Sequence, residues 1–156
     1  MSAGLNLPEG TLLVLTPLSG ALAPVLTPWS ARGLTQTLEL IGNRAPDQLR
    51  RDVNGFLRDV TDFRFRKFRS TISCRDGETP CLDDAWIGQT VQVSCALELN
   101  YQNGGTPART VVSGSERTQG DFIYYRPLLT MLVASIENGF QEYPALNGWS
   151  MTLEEF

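Results

Sequence analysis

Three cysteines, two adjacent carboxylate pairs and one run of alternating cations are the residues of this 156-residue chain that could do chemistry. There is no histidine. That removes Ser-His-Asp and Cys-His nucleophiles and any histidine general base. The carboxylate pairs are Asp83–Asp84, in a loop-like stretch, and Glu154–Glu155, near Phe156. Neighbouring residues of an extended chain point to opposite sides, so neither pair flanks one bond as a glycosidase pair does. Both read as solvated. Cys74, Cys81 and Cys95 are odd in number and cannot all pair within the chain. Cys74 and Cys81 flank the turn-like "RDGETP", so a local disulfide is conceivable; in a cytoplasmic setting three small, buried or half-buried thiols are the plainer reading. Three cysteines at these spacings do not make a four-ligand zinc set. No GxGxxG or P-loop string occurs. The expectation is a chain without catalytic, cofactor or metal residues, and so not an enzyme.

The cations lie in "FRFRKFRSTISC", Phe63 to Cys74. Phe63 and Phe65 fall on one face of a strand, with Arg64 and Arg66 opposite. At Lys67 the phase slips, as a β-bulge would make it. Beyond it Phe68, Ser70 and Ile72 share a side, with Arg69, Thr71 and Ser73 opposite. Three readings compete. The phenylalanines could stack bases on a nucleic-acid-binding barrel, although the chain is acidic, with a pI of about 4.8, and the phenylalanines split between faces. The strip could be a solvated edge that discourages aggregation. Or Arg64, Arg66, Lys67 and Arg69 could form a seam against acidic groups such as Asp83, Asp84 or Glu116 of an adjacent subunit.

Charge along the chain favours asking that question. Residues 32–75 carry ten basic and five acidic side chains, whereas residues 76–156 carry three and eleven. The fold either intermixes the two halves or presents unlike faces that attract copies head to tail.

These residues need elements to hold them. "TLLVLTP", Thr11 to Pro17, reads as a strand ended by its proline. Residues 1–31 otherwise read as an extended Pro/Gly-rich arm. In "ARGLTQTLELIGN", Leu34, Gln36, Leu38 and Leu40 alternate against Thr35, Thr37, Glu39 and Ile41, a half-buried strand. A short helix from Asp47 competes with a hairpin in "VNGFLRDV", where Asn54-Gly55 signals a type I′ turn; the hairpin is preferred. "RDGETPCLDDAW" is a loop. "IGQTVQVSCALELNY" keeps Val91, Val93, Cys95, Leu97 and Leu99 on one face of a single strand. "QNGGTPARTVVSGSERTQGD" is a long loop or β-arm. "FIYYRPLLTMLVASIENG" is β-rich, with Pro127 marking an edge or bulge, and "GWSMTLEEF" turns Trp149, Met151 and Leu153 inward. With 42% hydrophobic and 19% charged residues the chain can build a core. The fold expected is mainly β: one antiparallel sandwich or barrel over residues 32–156, with long loops or arms and little helix. No apolar run of about 18 residues is present to span a membrane, and no basic stretch precedes the first apolar one as in a signal peptide.

Taken together, "SARGLTQTLE", "FRKFRSTISC", "IGQTVQVSC", "YYRPLLTMLV" and "GWSMTLEEF" resemble strings of small virion structural proteins of tailed bacteriophages, described as tail or minor structural components. The likeness spans roughly Ser30 to Phe156. It carries no catalytic motif and transfers no functional residue. It implies a repeated building block of the virion, assembled in the bacterial cytoplasm: tail tube, tail tip or connecting ring, with capsid decoration as the alternative. Its partners would be copies of itself and other virion proteins, with DNA passing through a lumen and no small-molecule substrate. Arms such as those around Trp29 and Pro107 to Ser115 would either reach neighbours or pack on their own subunit.

Overall fold

The computed structural model describes residues 12–18, 34–41, 49–60, 62, 64, 66–75, 86–143 and 145–156. Twelve strands run in chain order among them: β1 Val14–Pro17, β2 Thr35–Ile41, β3 Leu49–Arg51, β4 Leu57–Asp59, β5 Lys67–Arg75, β6 Thr90–Ser94, β7 Leu99–Gln102, β8 Thr110–Val111, β9 Arg117–Gln119, β10 Phe122–Tyr125, β11 Pro127–Gln141 and β12 Leu146–Glu155. The fold is mainly β and antiparallel, with no α-helix among the described residues. One sheet orders its strands β1-β6-β11-β12-β5-β2, with β8 also paired to β11. A second holds β7-β10-β9, and β3-β4 stand as a separate hairpin.

Alternation explains the core. Leu13, Leu15, Val91, Val93, Cys95, Leu129, Met131, Val133, Trp149, Met151, Leu153, Ile72 and Cys74 form one buried cluster, edged by Leu34, Leu38 and Phe68. These are the inward positions of successive strands, two residues apart. The large sheet curls around them. Gln36 of edge strand β2 accepts hydrogen bonds from the backbone N–H of Ala96 (2.8 Å) and Leu97 (3.3 Å), just past β6. In a flat sheet β2 and β6 would lie about 19 Å apart, four strand spacings. The Gln36 amide also donates to Ser70, satisfying a hydroxyl buried within the core face.

Several expectations are corrected. The strand expected from Phe63 begins at Lys67, so the phase slip there is a strand start; Phe63 and Phe65 lie outside the described residues. The bulge sits instead in β11, where the register with β12 jumps between Val133 and Ser135. Inward residues accordingly pass from odd positions (Leu129, Met131, Val133) to Ile136. The strand expected across residues 87–101 is two, β6 and β7, in different sheets, because Gln36 holds the intervening backbone out of ladder geometry. The hairpin at Asn54-Gly55 forms, but not with a type I′ turn. Only Gly55 has positive φ (+83°) there. Gly55 N–H donates to Asp52 C=O and Asp52 N–H to Phe56 C=O, a type I turn closed by a glycine bulge. The Asp52 carboxylate selects it by accepting from the N–H groups of Asn54 and Phe56. Asp47 lies outside the described residues. The strand read in Thr11 to Pro17 is β1, which pairs with β6 in the large sheet and sets Leu13 and Leu15 in the core. Leu40, expected inward with Leu38, is exposed. Pro127 opens β11 where the chain passes between the two sheets.

Candidate assembly surfaces

The four cations of the expected seam all have partners on their own chain. Arg64 pairs with Asp62 at 2.6 Å, and Arg66 with Asp59 at 3.5 Å. Lys67 donates to the Phe156 carbonyl at 3.0 Å. Arg69 donates twice to Glu154, at 2.8 and 3.0 Å, and meets Glu39 at 3.7 Å. Antiparallel pairing of β5 with β12 thus lays the basic half of the sequence against the acidic half. Asp83 and Asp84 lie outside the described residues. Glu116 is elsewhere, accepting from the Tyr101 hydroxyl at 3.3 Å beside the small sheet. Within one chain Glu116 lies apart from the four cations; the expected seam sets it against those of an adjacent subunit.

A tighter node missing from the sequence reading lies beside them. Glu155 shares the inward side of β12 with Leu153 and Met151, at the sheet's rim. Its carboxylate takes a two-pronged bond from Arg109 at 2.7 and 3.0 Å, and a third from the Phe68 N–H at 2.9 Å. Arg109 also donates to the Arg66 carbonyl and lies 5.1 Å from the centre of the Phe68 ring. Both charged groups are largely withdrawn from water. The node ties the β7–β10 excursion to its own subunit, as does the pairing of β8 with β11. Pro107 to Ser115, weighed above as an arm, packs on its own body. The sequence signal was thin: one arginine in a glycine-rich stretch.

Among the described residues, two hairpins gather exposed apolar side chains; Trp86, Ile87, Leu40 and Phe156 are exposed elsewhere on the body. In β3–β4, Leu49, Val53 (101% exposed), Phe56 (66%), Leu57 and Val60 all face solvent. Arg58 is held by Asp52 at 2.7 Å and Arg51 by the Gly55 carbonyl at 2.8 Å. Arg58, with the two backbone N–H groups, holds the Asp52 carboxyl below its usual range. The second hairpin is the far half of β11–β12. Beyond the bulge, Ser135–Gln141 pair with β12 alone, and Leu146 and Asn147 pair with β11 alone. Phe140 (65% exposed) and Tyr143 (94%) stand on this ribbon, with Glu137 and Glu142. Gly139 faces Gly148 across it. A groove of about 530 Å³, lined by Arg75, Gly139, Phe140, Gln141, Leu146, Asn147 and Gly148, runs beside that pair.

The cysteines are structural where described. Cys74 and Cys95 are buried, and burial pushes the Cys95 thiol up to about 11. Cys81 lies outside the described residues. Among the described residues no cluster of three or more Cys, Asp or Glu is arranged for a metal ion, and no helix is long and apolar enough to cross a membrane.

Comparison with family models, curated proteins and solved structures finds no match to this chain. What the fold defines is a class: a curled antiparallel β body carrying two uncovered hairpins.

Proposed function

We propose that this protein is a structural subunit of a tailed-phage virion that assembles into a ring or tube of the tail. The observation that carries the reading is the uncovered apolar surface on both hairpins, beside a core that is closed. Two-stranded hairpins are marginal alone in water, and apolar surface gathered on projecting elements marks contact with another protein. The strings that resemble phage virion proteins supply residues of β2, β5, β6, β10, β11 and β12, the framework that bears the second hairpin. Arms, more than a charged seam, make the contacts, because Arg64, Arg66 and Arg69 already meet carboxylates within the chain, and Lys67 a backbone carbonyl.

The nucleic-acid reading fares worse on the same residues. Phe68 packs against the core and under Arg109, so its face is not open to a base. Light scattering on the purified chain, with electron microscopy of the product, tests the proposal. Closed rings or tubes with a central channel are expected. A monomer at every concentration would overturn it, and tight single-stranded DNA binding at about 0.05 M salt by that monomer would favour the nucleic-acid reading instead.

A further inference from the structure

We propose that Asn103 is a self-modifying residue: the backbone nitrogen of Gly104 closes on its side-chain amide, and the site passes through a succinimide to an aspartyl or isoaspartyl residue. The chain holds four Asn-Gly pairs: Asn54-Gly55, Asn103-Gly104, Asn138-Gly139 and Asn147-Gly148. A glycine after asparagine leaves the attacking nitrogen uncrowded by a Cβ and its peptide easy to turn, so the sequence alone marks all four alike. In the step, a bond forms between Gly104 N and Asn103 Cγ and the Cγ–Nδ2 bond breaks. The proton of the attacking nitrogen leaves with Nδ2 as ammonia. Water, the one co-reactant, then opens the ring at either carbonyl. This chemistry is independent of the assembly proposed above.

What separates the four pairs is how firmly the peptide after each asparagine is held. Ring closure needs that peptide to rotate until the glycine nitrogen faces the side-chain carbon, an arrangement that neither an extended strand nor a hydrogen-bonded turn provides. Asn138-Gly139 and Asn147-Gly148 lie in the β11–β12 ladder, where Gly139 pairs with Gly148 and Asn147 with Phe140. Turning either peptide takes a rung out of that ladder. At Asn54-Gly55 the Gly55 N–H donates to the Asp52 carbonyl at 2.9 Å, and the Asn54 N–H to the Asp52 carboxylate at 2.9 Å. Asn103-Gly104 differs. The turn over residues 102–105 is closed by the Gly105 N–H donating to the Gln102 carbonyl at 2.9 Å, with Gly104 at a φ of +91°, the type II form. That bond spans the turn and leaves its central peptide out. Among the described residues the Gly104 N–H and the Asn103 carbonyl have no hydrogen-bond partner. The peptide therefore rotates with the closing bond intact. Asn103, Gly104 and Gly105 are exposed, so water reaches the ring. The Asn103 N–H donates to the Asp121 carbonyl at 2.8 Å, just past the end of β7. The product sets a new carboxylate there, and its isoaspartyl form lengthens the backbone by a carbon.

The test holds the wild-type chain at mildly alkaline pH over days. Peptide mass spectrometry reads conversion of amide to acid at each asparagine, and fragmentation separates aspartyl from isoaspartyl. In the native chain Asn103 should convert at least about tenfold faster than Asn54, Asn138 or Asn147, because those wait on local opening. In urea, where no peptide is held, the rates at all these sites should converge to within about threefold. Asn103→Gln, whose longer side chain must close a larger ring, should remove the main acidic form that isoelectric focusing resolves in the aged native protein. Another asparagine leading in the native chain, equal native rates at all the sites, or conversion of Asn103 in urea alone would overturn the assignment. Persistence of the acidic form in Asn103→Gln would overturn it too.

Discussion

Glu155 accepts three hydrogen bonds at the rim of the sheet, two from Arg109 and one from the Phe68 N–H. Removing one partner of a withdrawn ion pair leaves the other without compensation. Arg109→Ala should therefore lower stability by about 2–4 kcal/mol in urea unfolding, far more than the usual effect of an exposed pair such as Arg64–Asp62. Equal losses for Arg109→Ala and Arg64→Ala would show that the node adds nothing beyond surface charge. Cys95 makes a second residue-scale prediction. A thiol pushed up to about 11 by burial is almost wholly protonated at pH 8. Iodoacetamide should modify it only after the protein is unfolded; rapid labelling at Cys95 itself in the native chain, located by peptide mass spectrometry, would contradict its placement. The Glu155 node was not open to sequence reading, because its partners lie 46 and 87 residues away, whereas the burial of Cys95 follows from the alternation it shares with Val91 and Val93.

At the scale of elements, what could be read was what depends on alternation. Trp149, Met151 and Leu153 point inward as the period of two requires, and so do Val91, Val93 and Cys95. The break between β6 and β7 was hidden because the apolar alternation runs on through it. Its cause is Gln36, 60 residues earlier in the chain. Gln36→Ala should cost about 1–3 kcal/mol by leaving the Ala96 and Leu97 N–H groups unpaired, with amide exchange at those two positions as the readout. The β3–β4 turn shows the other limit: Asn54-Gly55 gave the place, but the Asp52 carboxylate decides the geometry. Its carboxyl is held below the usual value, 3.8, first by Arg58 and also by the N–H groups of Phe56 and Asn54. A lowered carboxyl stabilises the turn above its unfolded value and ceases to do so as pH falls through the folded one. The hairpin should therefore keep its Asn54 and Phe56 amide shifts from neutral pH to about 4 and lose them below that. Loss already near pH 6 would refute this cap.

For the whole molecule, the sequence raised the question of unlike faces, and the answer for β5 lies in its neighbour. Basic and acidic halves meet across β5–β12 within one subunit, so the charge asymmetry along the chain is partly spent inside the fold. Assembly as proposed should then survive Arg64→Ala, Arg66→Ala and Arg69→Ala together, measured as multimer mass by light scattering. Dissolution of the multimers by that triple change would return the contact to Arg64, Arg66 and Arg69. The hairpins could not be read as a pair from sequence, since their isolation from the body is a property of strand order.

Gly139 and Gly148, opposed on the β11–β12 ribbon, carry one last consequence. Built as alanine, either would meet only ordinary contacts, 3.7–3.8 Å from the nearest backbone oxygen, so crowding does not demand glycine there. With no side chains across that rung, the ribbon forgoes there the cross-strand contact that stiffens its other rungs. If copies assemble as proposed, that is the rung at which the end bearing Phe140 and Tyr143 would give way to a neighbour set at a slightly different rotation.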